Sequence, residues 1–405
     1  MEIRNSKKHS VDFHNFILGQ SPFPVFEGLK EGLSQSVKKS FYAPYDGVNE
    51  LKTAIQSFYE YYLNLKIHED RILLGYGTKH IMSLLFEMLE GHFILPVPAW
   101  VGYEPLLKMK EKEYSKIILK HEEAYKISPY LLDEVLSQIN DQTILILNNP
   151  HNPTGAIYSE KELLALKEVL LKYQTIVISD EIYALLTFNK TDFASMSEVY
   201  PERTFMTNGV SKDRSAAGYR LGVCVFPSEH TQLLKNTYHK IIANTFTNIS
   251  TPIQYAAIKG YTPSKELTDY LRITNSIHSL AAESIYEAAI KIPQAIVSKP
   301  YGGFYLTINL NAYKTLFINN HIYKVSNLTE RLLESPYYVA CVGGDSIGLS
   351  EDDFTLRIAF IDYDGAQLFE MIKNNRDASK DLVKPYFNHM ENGIKNIQRF
   401  LRDLS

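Results

Sequence analysis

Three polar clusters in this 405-residue chain could do chemistry, and each follows an apolar run that suits a buried strand. The clusters span residues 149–155, 179–183 and 208–222, and the last of them contains Lys212. Together they supply an amide, a carboxylate, a phenol, an amine and a guanidinium. Because ligands of open α/β sheets bind at the carboxyl ends of the strands, we expect these groups to share one site.

Lys212 is the candidate nucleophile. A lysine amine attacks a carbonyl group usefully only when burial or cationic neighbours disfavour its ammonium form. Arg214 and Arg220 flank it in the sequence, and the small residues between them leave room for a close approach of the backbone. A lysine taken alone is more often a surface residue, but this context favours a lysine that forms a Schiff base.

Asp180 ends an apolar run, and a buried carboxylate there needs a permanent partner. A protonated pyridine nitrogen is such a partner and would keep the ring an electron sink. Tyr183 and Asn152 could donate hydrogen bonds to a phenolate oxygen on the same ring, and Trp100 could stack on its face. The set suits pyridoxal 5′-phosphate. The alternatives are a helix-capping Asp180, a plain turn around Asn152 and a Trp100 that packs in the core.

Two further segments could bind anions. Arg220 could place its fork of N–H donors on a phosphate, and the glycine-rich turn at Gly77 and Thr78 opens a helix whose first N–H groups attract anions. Many such turns bind nothing. Arg357 interrupts an apolar strand, so its guanidinium needs an anion, either a substrate carboxylate or a structural Asp or Glu.

Composition and charge argue against several classes of protein. Hydrophobic residues make up 45% of the chain and charged residues 22%, and a net charge of -4 gives no reason to expect nucleic acid or an anionic membrane as a partner. Two cysteines cannot build a disulfide framework, no run of eighteen apolar residues is present, and residues 1–15 lack the apolar run of a secretory signal. We expect a cytoplasmic protein with no membrane span and no metal site.

Short apolar runs alternate with helical patterns between residues 70 and 226, which predicts an α/β domain with a mostly parallel sheet. One helix between these runs is well marked, because Ser159 and Glu162 form a capping box ahead of it. The predicted strands are 72–74, 93–95, 143–147, 175–179, 204–207 and 221–226.

The second half of the chain predicts a smaller domain. A helical stretch at 252–292, interrupted near 261–264, leads to strands at 302–308 and 355–360. Amphipathic helices are expected over 377–405. The first forty-odd residues have no sheet pattern of their own and are expected to join this smaller domain.

In order along the chain, Asn-Pro-x-Asn-Pro-Thr-Gly, Asp-Glu-x-Tyr, Ser-Lys and Arg-x-Gly resemble the motifs of fold-type I pyridoxal phosphate enzymes. The resemblance is specifically to the class I/II aminotransferases of the aspartate aminotransferase superfamily, and it runs from Tyr42 to Arg357. It implies a large domain, 46–285, with a mostly parallel seven-stranded sheet between helices. It also implies a smaller α+β domain, 1–45 and 286–405, and a twofold homodimer.

The resemblance also assigns roles to residues. Lys212 would form the internal aldimine and later move the proton, and Asp180 would bind the pyridine nitrogen. Tyr183 and Asn152 would contact the phenolate oxygen, and Trp100 would stack on the ring. The phosphate would be held by Gly77, Thr78, Ser211 and Arg220, with Tyr42 of the partner subunit. The substrate would contact Arg357, Gly19 and Asn152. Where some relatives have a phosphate-binding serine this chain has Gly209, and Ser211 is the substitute.

The implied reaction is a ping-pong transfer of an amino group between an L-amino acid and a 2-oxo acid. A lyase, decarboxylative or oxidative reaction on an amino acid is the first alternative, because the same carbanion serves several outcomes. A protein that binds the cofactor without turnover is the second.

Overall fold

The computed structural model describes residues 13–188, 193–375 and 380–404. The predictions for residues 1–15 and 377–405, and for the start of the smaller domain, therefore fall partly outside the described residues. The strands are β1 (His14–Asn15), β2 (Ile72–Gly75), β3 (His92–Val97), β4 (Tyr114–Ile118), β5 (Thr143–Asn148), β6 (Ile176–Asp180), β7 (Thr204–Gly209), β8 (Gly222–Val225), β9 (Ile296–Val297), β10 (Tyr305–Asn309), β11 (Val339–Ala340), β12 (Val342–Gly343) and β13 (Thr355–Ala359).

The helices connect these strands and cover the sheets. They are α1 (Glu27–Ser36), α2 (Asn49–Leu63), α3 (Thr78–Met88), α4 (Tyr103–Met109), α5 (Pro129–Leu136), α6 (Glu160–Tyr173), α7 (Met196–Val199), α8 (Thr231–Thr245), α9 (Thr251–Tyr261), α10 (Lys265–Ala289), α11 (Lys314–Asn319), α12 (Val325–Leu333), α13 (Gly365–Asn375) and α14 (Lys380–Asp403).

Seven strands form one sheet in the order β2-β8-β7-β6-β5-β3-β4. The neighbours from β7 to β4 pair in parallel, whereas β8 runs antiparallel to both β2 and β7. Alternate residues of β5 belong to different hydrophobic clusters: Ile144 and Ile146 share one with residues of α3 and α4, while Leu145 and Leu147 share another with residues of α5 and α6. Helices therefore lie on both faces, and the predicted mostly parallel α/β sheet is confirmed.

The sequence analysis missed β4, the strand at the edge of this sheet. It pairs only with β3 among the described strands, and Ile118 at its end is exposed. A short, half-exposed edge strand lacks the continuous apolar run that marks the buried strands.

The smaller sheet is antiparallel, in the order β12-β13-β10-β9, and β1 pairs in parallel with β11 beside it. The strand predicted at 302–308 begins only at Tyr305, because Gly303 has a φ of +68° and Gly302 packs against the carbonyl of Leu186. The second predicted strand, at 355–360, is confirmed as β13.

Local signals placed the helices well. The Ser159–Glu162 capping box is present at the start of α6. The break predicted near 261–264 separates α9 from α10, and the Ser264 side chain caps α10 by accepting from the N–H of Leu267. Within the described ranges, no helix is long and apolar enough to cross a membrane. The division into domains 46–285 and 1–45 with 286–405 stays a prediction.

Candidate active site

A cavity of about 360 Å³ lies at the carboxyl ends of the central strands. Eight of the predicted site residues line it: Thr78, Trp100, Asn152, Asp180, Tyr183, Ser211, Lys212 and Arg220. They come from the ends of β5, β6 and β7, from the start of α3, from the segment after β3 and from the segment before β8. A larger groove of about 970 Å³, bordered by Tyr158 and Tyr301, contains none of them.

Lys212 projects a half-buried amine into this cavity. Its Nζ donates to the carbonyl oxygen of Gly19 at 2.5 Å and lies 5.8 Å from the ring centre of Tyr183. Burial lowers the pKa of Lys212 to about 8, against the opposing charge of Asp180. The positive charges of Arg357, Arg220 and Lys79 contribute to this lowering. The amine is therefore half neutral near pH 8, as a nucleophile requires.

Asp180 is a buried carboxylate at the end of β6. Its Oδ2 accepts from the Tyr103 hydroxyl at 2.7 Å, and its Oδ1 accepts from the Ile182 N–H at 3.3 Å and from the Thr207 hydroxyl at 3.5 Å. Burial raises the pKa of Asp180, and these hydrogen bonds act against that rise. The sequence analysis missed Tyr103, the shortest of the three contacts.

Asn152 and Tyr183 lie beside Asp180. The Asn152 N–H donates to the Asn148 side chain at 2.7 Å, and the Oδ1 atom of Asn152 is buried without a partner among the described residues. The Tyr183 hydroxyl donates to the Tyr305 hydroxyl at 3.2 Å. Burial raises the pKa of Tyr183 well above its usual range, so its hydroxyl stays a donor.

The start of α3 has the geometry that could hold an anion. Gly77 has a φ of +79°, which favours glycine, and its backbone lies close to the guanidinium of Arg220, since a Cβ there would be 2.5 Å from Nη2. Arg220 is exposed, and its guanidinium is held by the carbonyls of Tyr76 at 3.0 Å and Ala217 at 2.8 Å. Thr78 is the first residue of α3, where backbone N–H groups have no acceptor within the helix.

Arg357 and Gly19 do not line this cavity but lie close to its lysine. Arg357 is buried, its Nη2 donates to the Ile17 carbonyl at 2.6 Å, and its Nε has no partner among the described residues. Its guanidinium lies 5.0 Å from the ring centre of Tyr305. A Cβ on Gly19 would lie 1.7 Å from the Tyr305 hydroxyl oxygen, so the tyrosine occupies the space over the glycine. Tyr305 thus touches Gly19, Arg357 and Tyr183, a link that the sequence analysis missed.

The two remaining predicted contacts differ in position. Trp100 borders the cavity and meets Tyr103 edge-on, with ring centres 5.1 Å apart. Tyr42 is 84% exposed and does not line the cavity of its own chain.

Arg214 does not play the part expected from its place in the sequence. It was expected to act as a cationic neighbour of Lys212. Instead its guanidinium is completely buried and paired with Asp213, with Nε 3.1 Å from Oδ1. Its charge is neutralised locally, and the cations that lower the pKa of Lys212 are Arg357, Arg220 and Lys79, so of the two flanking arginines Arg220 acts as expected.

Comparison with known proteins gives matches over most of the chain. The family model described as aminotransferase class I and II matches residues 17–371. The asparagine–oxo-acid transaminase of Streptococcus mutans is 30% identical over 355 residues, which cover 85% of this chain and 87% of that relative. The aspartate aminotransferase of Bacillus sp. (strain YM-2) is 28% identical over 88% of this chain and 89% of that relative.

Solved structures share the fold. An aminotransferase from Mycobacterium tuberculosis superposes with a TM-score of 0.83 at 17% identity, covering 99% of this chain and 95% of that one. The Thermus thermophilus aspartate aminotransferase with maleate gives a TM-score of 0.80 at 20% identity, covering 98% and 93%.

Proposed function

Since the chain belongs to the aminotransferase class I and II family, we propose that it uses pyridoxal 5′-phosphate at the cavity around Lys212. The observation that carries this proposal is that one 360 Å³ cavity is lined by both an amine of lowered pKa and a buried carboxylate. We expect Lys212 to join the aldehyde and Asp180 to face the ring nitrogen.

The residues present fit this group by their own chemistry. A buried carboxylate whose pKa is raised needs a cationic partner, and a protonated pyridine nitrogen supplies one. The helix start at Gly77 and Thr78, next to the exposed guanidinium of Arg220, suits a phosphate dianion. Ser211 lines the same cavity and can donate its hydroxyl to that phosphate.

When bound, the cofactor supplies an electron sink for the negative charge that develops at the substrate Cα. Lys212 would take the proton from the substrate Cα and return it to a carbon of the cofactor, and its lowered pKa of about 8 leaves part of the amine neutral to act as the base. Asp180 would hold the proton on the ring nitrogen, and the hydrogen bond from Tyr103 orients Asp180. In the presence of the cofactor, the hydroxyl of Tyr183 would turn its hydrogen from Tyr305 to the phenolate oxygen, to which the side chain of Asn152 would also donate.

Arg357 is proposed to hold the α-carboxylate of the amino acid. Its Nε is buried without a partner among the described residues, so a donor is left for an anion. The names of the relatives make aspartate and asparagine the first donors to test, with 2-oxo acids as acceptors.

Assembly and compartment are also proposals. Tyr42 and Phe41 are 84% and 52% exposed, which suits residues that a second copy of the chain would cover in a twofold dimer. The free, buried thiols of Cys224 and Cys341 suit the cytoplasm. Light scattering on the purified protein tests the dimer.

The cofactor proposal is tested with Lys212→Ala. The wild-type protein with pyridoxal 5′-phosphate should absorb in the visible range and transfer amino groups, and the variant should lose both properties. Lys172→Ala, which removes an exposed lysine on α6, should keep both. A wild-type protein with neither property would refute the proposal. Release of ammonia without any oxo-acid acceptor would instead favour the lyase alternative, which none of the comparisons supports.

A further inference from the structure

Arg214, two residues after Lys212, is the largest fully buried side chain among the described residues. Its guanidinium lies between two aromatic rings, 4.3 Å from the ring centre of Phe58 on α2 and 4.2 Å from that of Tyr261 at the end of α9. Cation–π contacts of this kind gain strength where water is excluded.

The charge of Arg214 is matched by Asp213, which is also buried. Nε and Nη2 of the arginine donate to the two carboxylate oxygens at 3.1 and 3.2 Å. A buried ion pair is weak evidence for a role in stability, because well-packed apolar side chains of similar volume often do as well or better. A role other than stabilising the fold is therefore open to the pair.

The remaining donors of Arg214 fix the loop that carries Lys212. Nη2 donates to the carbonyl of Gly209, the last residue of β7, at 3.0 Å, and Nη1 donates to the carbonyl of Gly260 on α9 at 3.2 Å. The arginine thus closes the segment from 209 to 214 on itself, with Lys212 inside the closed loop, and fastens it to α9.

The next residue extends the same connections. Ser215 has a φ of +55°, and its hydroxyl lies 2.6 Å from that of Ser21 and 2.8 Å from that of Tyr270. Ser21 lies two residues after Gly19, whose carbonyl accepts from the amine of Lys212. Residues that follow the lysine therefore fix two things. Arg214 holds the backbone of the loop that carries Lys212, and Ser215 contacts the segment whose Gly19 carbonyl accepts from the lysine amine.

We propose that the Asp213–Arg214 pair positions Lys212, so that its amine points into the cavity at the right place to react. The inference rests on the proposed function and adds residues that do not line the cavity. The pair acts through geometry, because the charges that act on Lys212 are those of Asp180 and of cations outside the pair.

Two variants test the proposal. Arg214→Lys keeps a positive charge beside Asp213, but one ammonium group cannot reproduce the fork that reaches both Gly209 and Gly260. The double variant Asp213→Asn with Arg214→Met removes both charges together, so no unpaired charge remains buried. Arg71→Met is the matched control, because Arg71 is a partly buried arginine that donates to the Phe226 carbonyl at 2.7 Å, away from the cavity.

Each protein is incubated with pyridoxal 5′-phosphate, and the rate at which borohydride-trapped adduct appears on residue 212 is followed by peptide mass spectrometry. Urea denaturation of the cofactor-free protein is measured in parallel, with kcat and KM for aspartate. We expect Arg214→Lys to remain folded without urea but with a lower urea midpoint, because the buried carbonyls of Gly209 and Gly260 lose donors. In the folded variant, adduct formation and kcat should fall about 10- to 100-fold, because misplacement by about 1 Å can cost that much. KM should change less than kcat, and Arg71→Met should behave as wild type.

The outcomes separate the two proposals. A folded Arg214→Lys protein with wild-type adduct formation and kcat would overturn the positioning role, and so would a double variant that folds and reacts normally. If the double variant fails to fold while Arg214→Lys folds and reacts normally, the pair serves folding and the positioning role is overturned. Absence of any adduct on residue 212 of the wild type would overturn the proposed function itself, and this inference with it.

Discussion

Glu181 is a fully buried carboxylic acid next to Asp180, and its ionisation should make the stability of the protein depend on pH. Its Oε1 accepts from the hydroxyls of Ser179 and Ser195 at 2.8 and 3.1 Å and from the N–H of Met196 at 3.0 Å. Its Oε2 has no partner among the described residues. Burial raises the pKa of Glu181 to about 7, against the effect of these hydrogen bonds.

The direction of the pH dependence follows from which state, folded or unfolded, binds the proton of Glu181 more tightly. In the unfolded chain the group titrates near 4.5, so between pH 4.5 and 7 the folded protein holds a proton that the unfolded chain has lost. The contribution of Glu181 to the free energy of unfolding is therefore fully present below pH 4.5. It falls as the pH rises through this window and is lost above pH 7. An interval of about 2.5 pH units corresponds to roughly 3 kcal/mol.

The perturbation is Glu181→Gln. The amide oxygen can accept the same three hydrogen bonds, and the side chain cannot ionise. Relative to wild type, the free energy of unfolding of the variant should therefore rise by up to about 3 kcal/mol between pH 4.5 and 7. Glu60→Gln, an exposed change on α2, is the matched control and should leave the pH dependence unaltered.

The assay is urea denaturation of the cofactor-free protein at pH 5 and pH 8, followed by fluorescence of Trp100. This residue is the only tryptophan of the chain and borders the cavity, so its signal reports unfolding around the strand end that Glu181 follows. The difference in urea midpoint between Glu181→Gln and wild type should be larger at pH 8. The same difference at both pH values would refute the reasoning, because a group with a raised pKa must produce that slope.

Two further predictions concern the site itself. Tyr103→Phe removes the 2.7 Å hydrogen bond to Asp180. Since a hydrogen bond to a charged group contributes about 1.5–3 kcal/mol, titration should show at least a roughly tenfold loss of affinity for pyridoxal 5′-phosphate. Tyr238→Phe, whose hydroxyl donates to the Leu74 carbonyl, is its control, and equal affinities in the two variants would contradict this role. Arg357→Lys keeps the charge but loses the bidentate fork, so steady-state kinetics should show that KM for amino acids rises about 10-fold or more. The affinity for the cofactor should not change. An unchanged KM would mean that the substrate carboxylate binds elsewhere.

The residues at the strand ends could be predicted because their signal is local. Asn152, Asp180 and Lys212 each follow an apolar run, and buried strands of a parallel sheet end at a common edge. That rule needs no knowledge of which distant segments touch. The same local logic failed for β4, whose half-exposed position at the sheet edge leaves no continuous apolar run.

Tyr103 and Tyr305 could not be predicted, because their contacts join segments far apart in the chain. Tyr103 lies 77 residues from its partner Asp180, and Tyr305 lies 122 residues from Tyr183. An isolated tyrosine in a chain with 28 of them carries no pattern that distinguishes it. Arg214 was predicted to influence Lys212 by its charge. Only the structure shows that Arg214 is packed between two rings and that the ion pair with Asp213 neutralises its charge.

The identity of the lysine that joins the cofactor is the point on which the proposed chemistry depends. Purified protein incubated with pyridoxal 5′-phosphate, reduced with borohydride and digested should yield one modified peptide, and fragmentation should place the added mass on Lys212. We predict that Lys79, which lines the same cavity, stays unmodified. Modification of Lys79 or another lysine in place of Lys212, or no stable modification at all, would contradict the assignment.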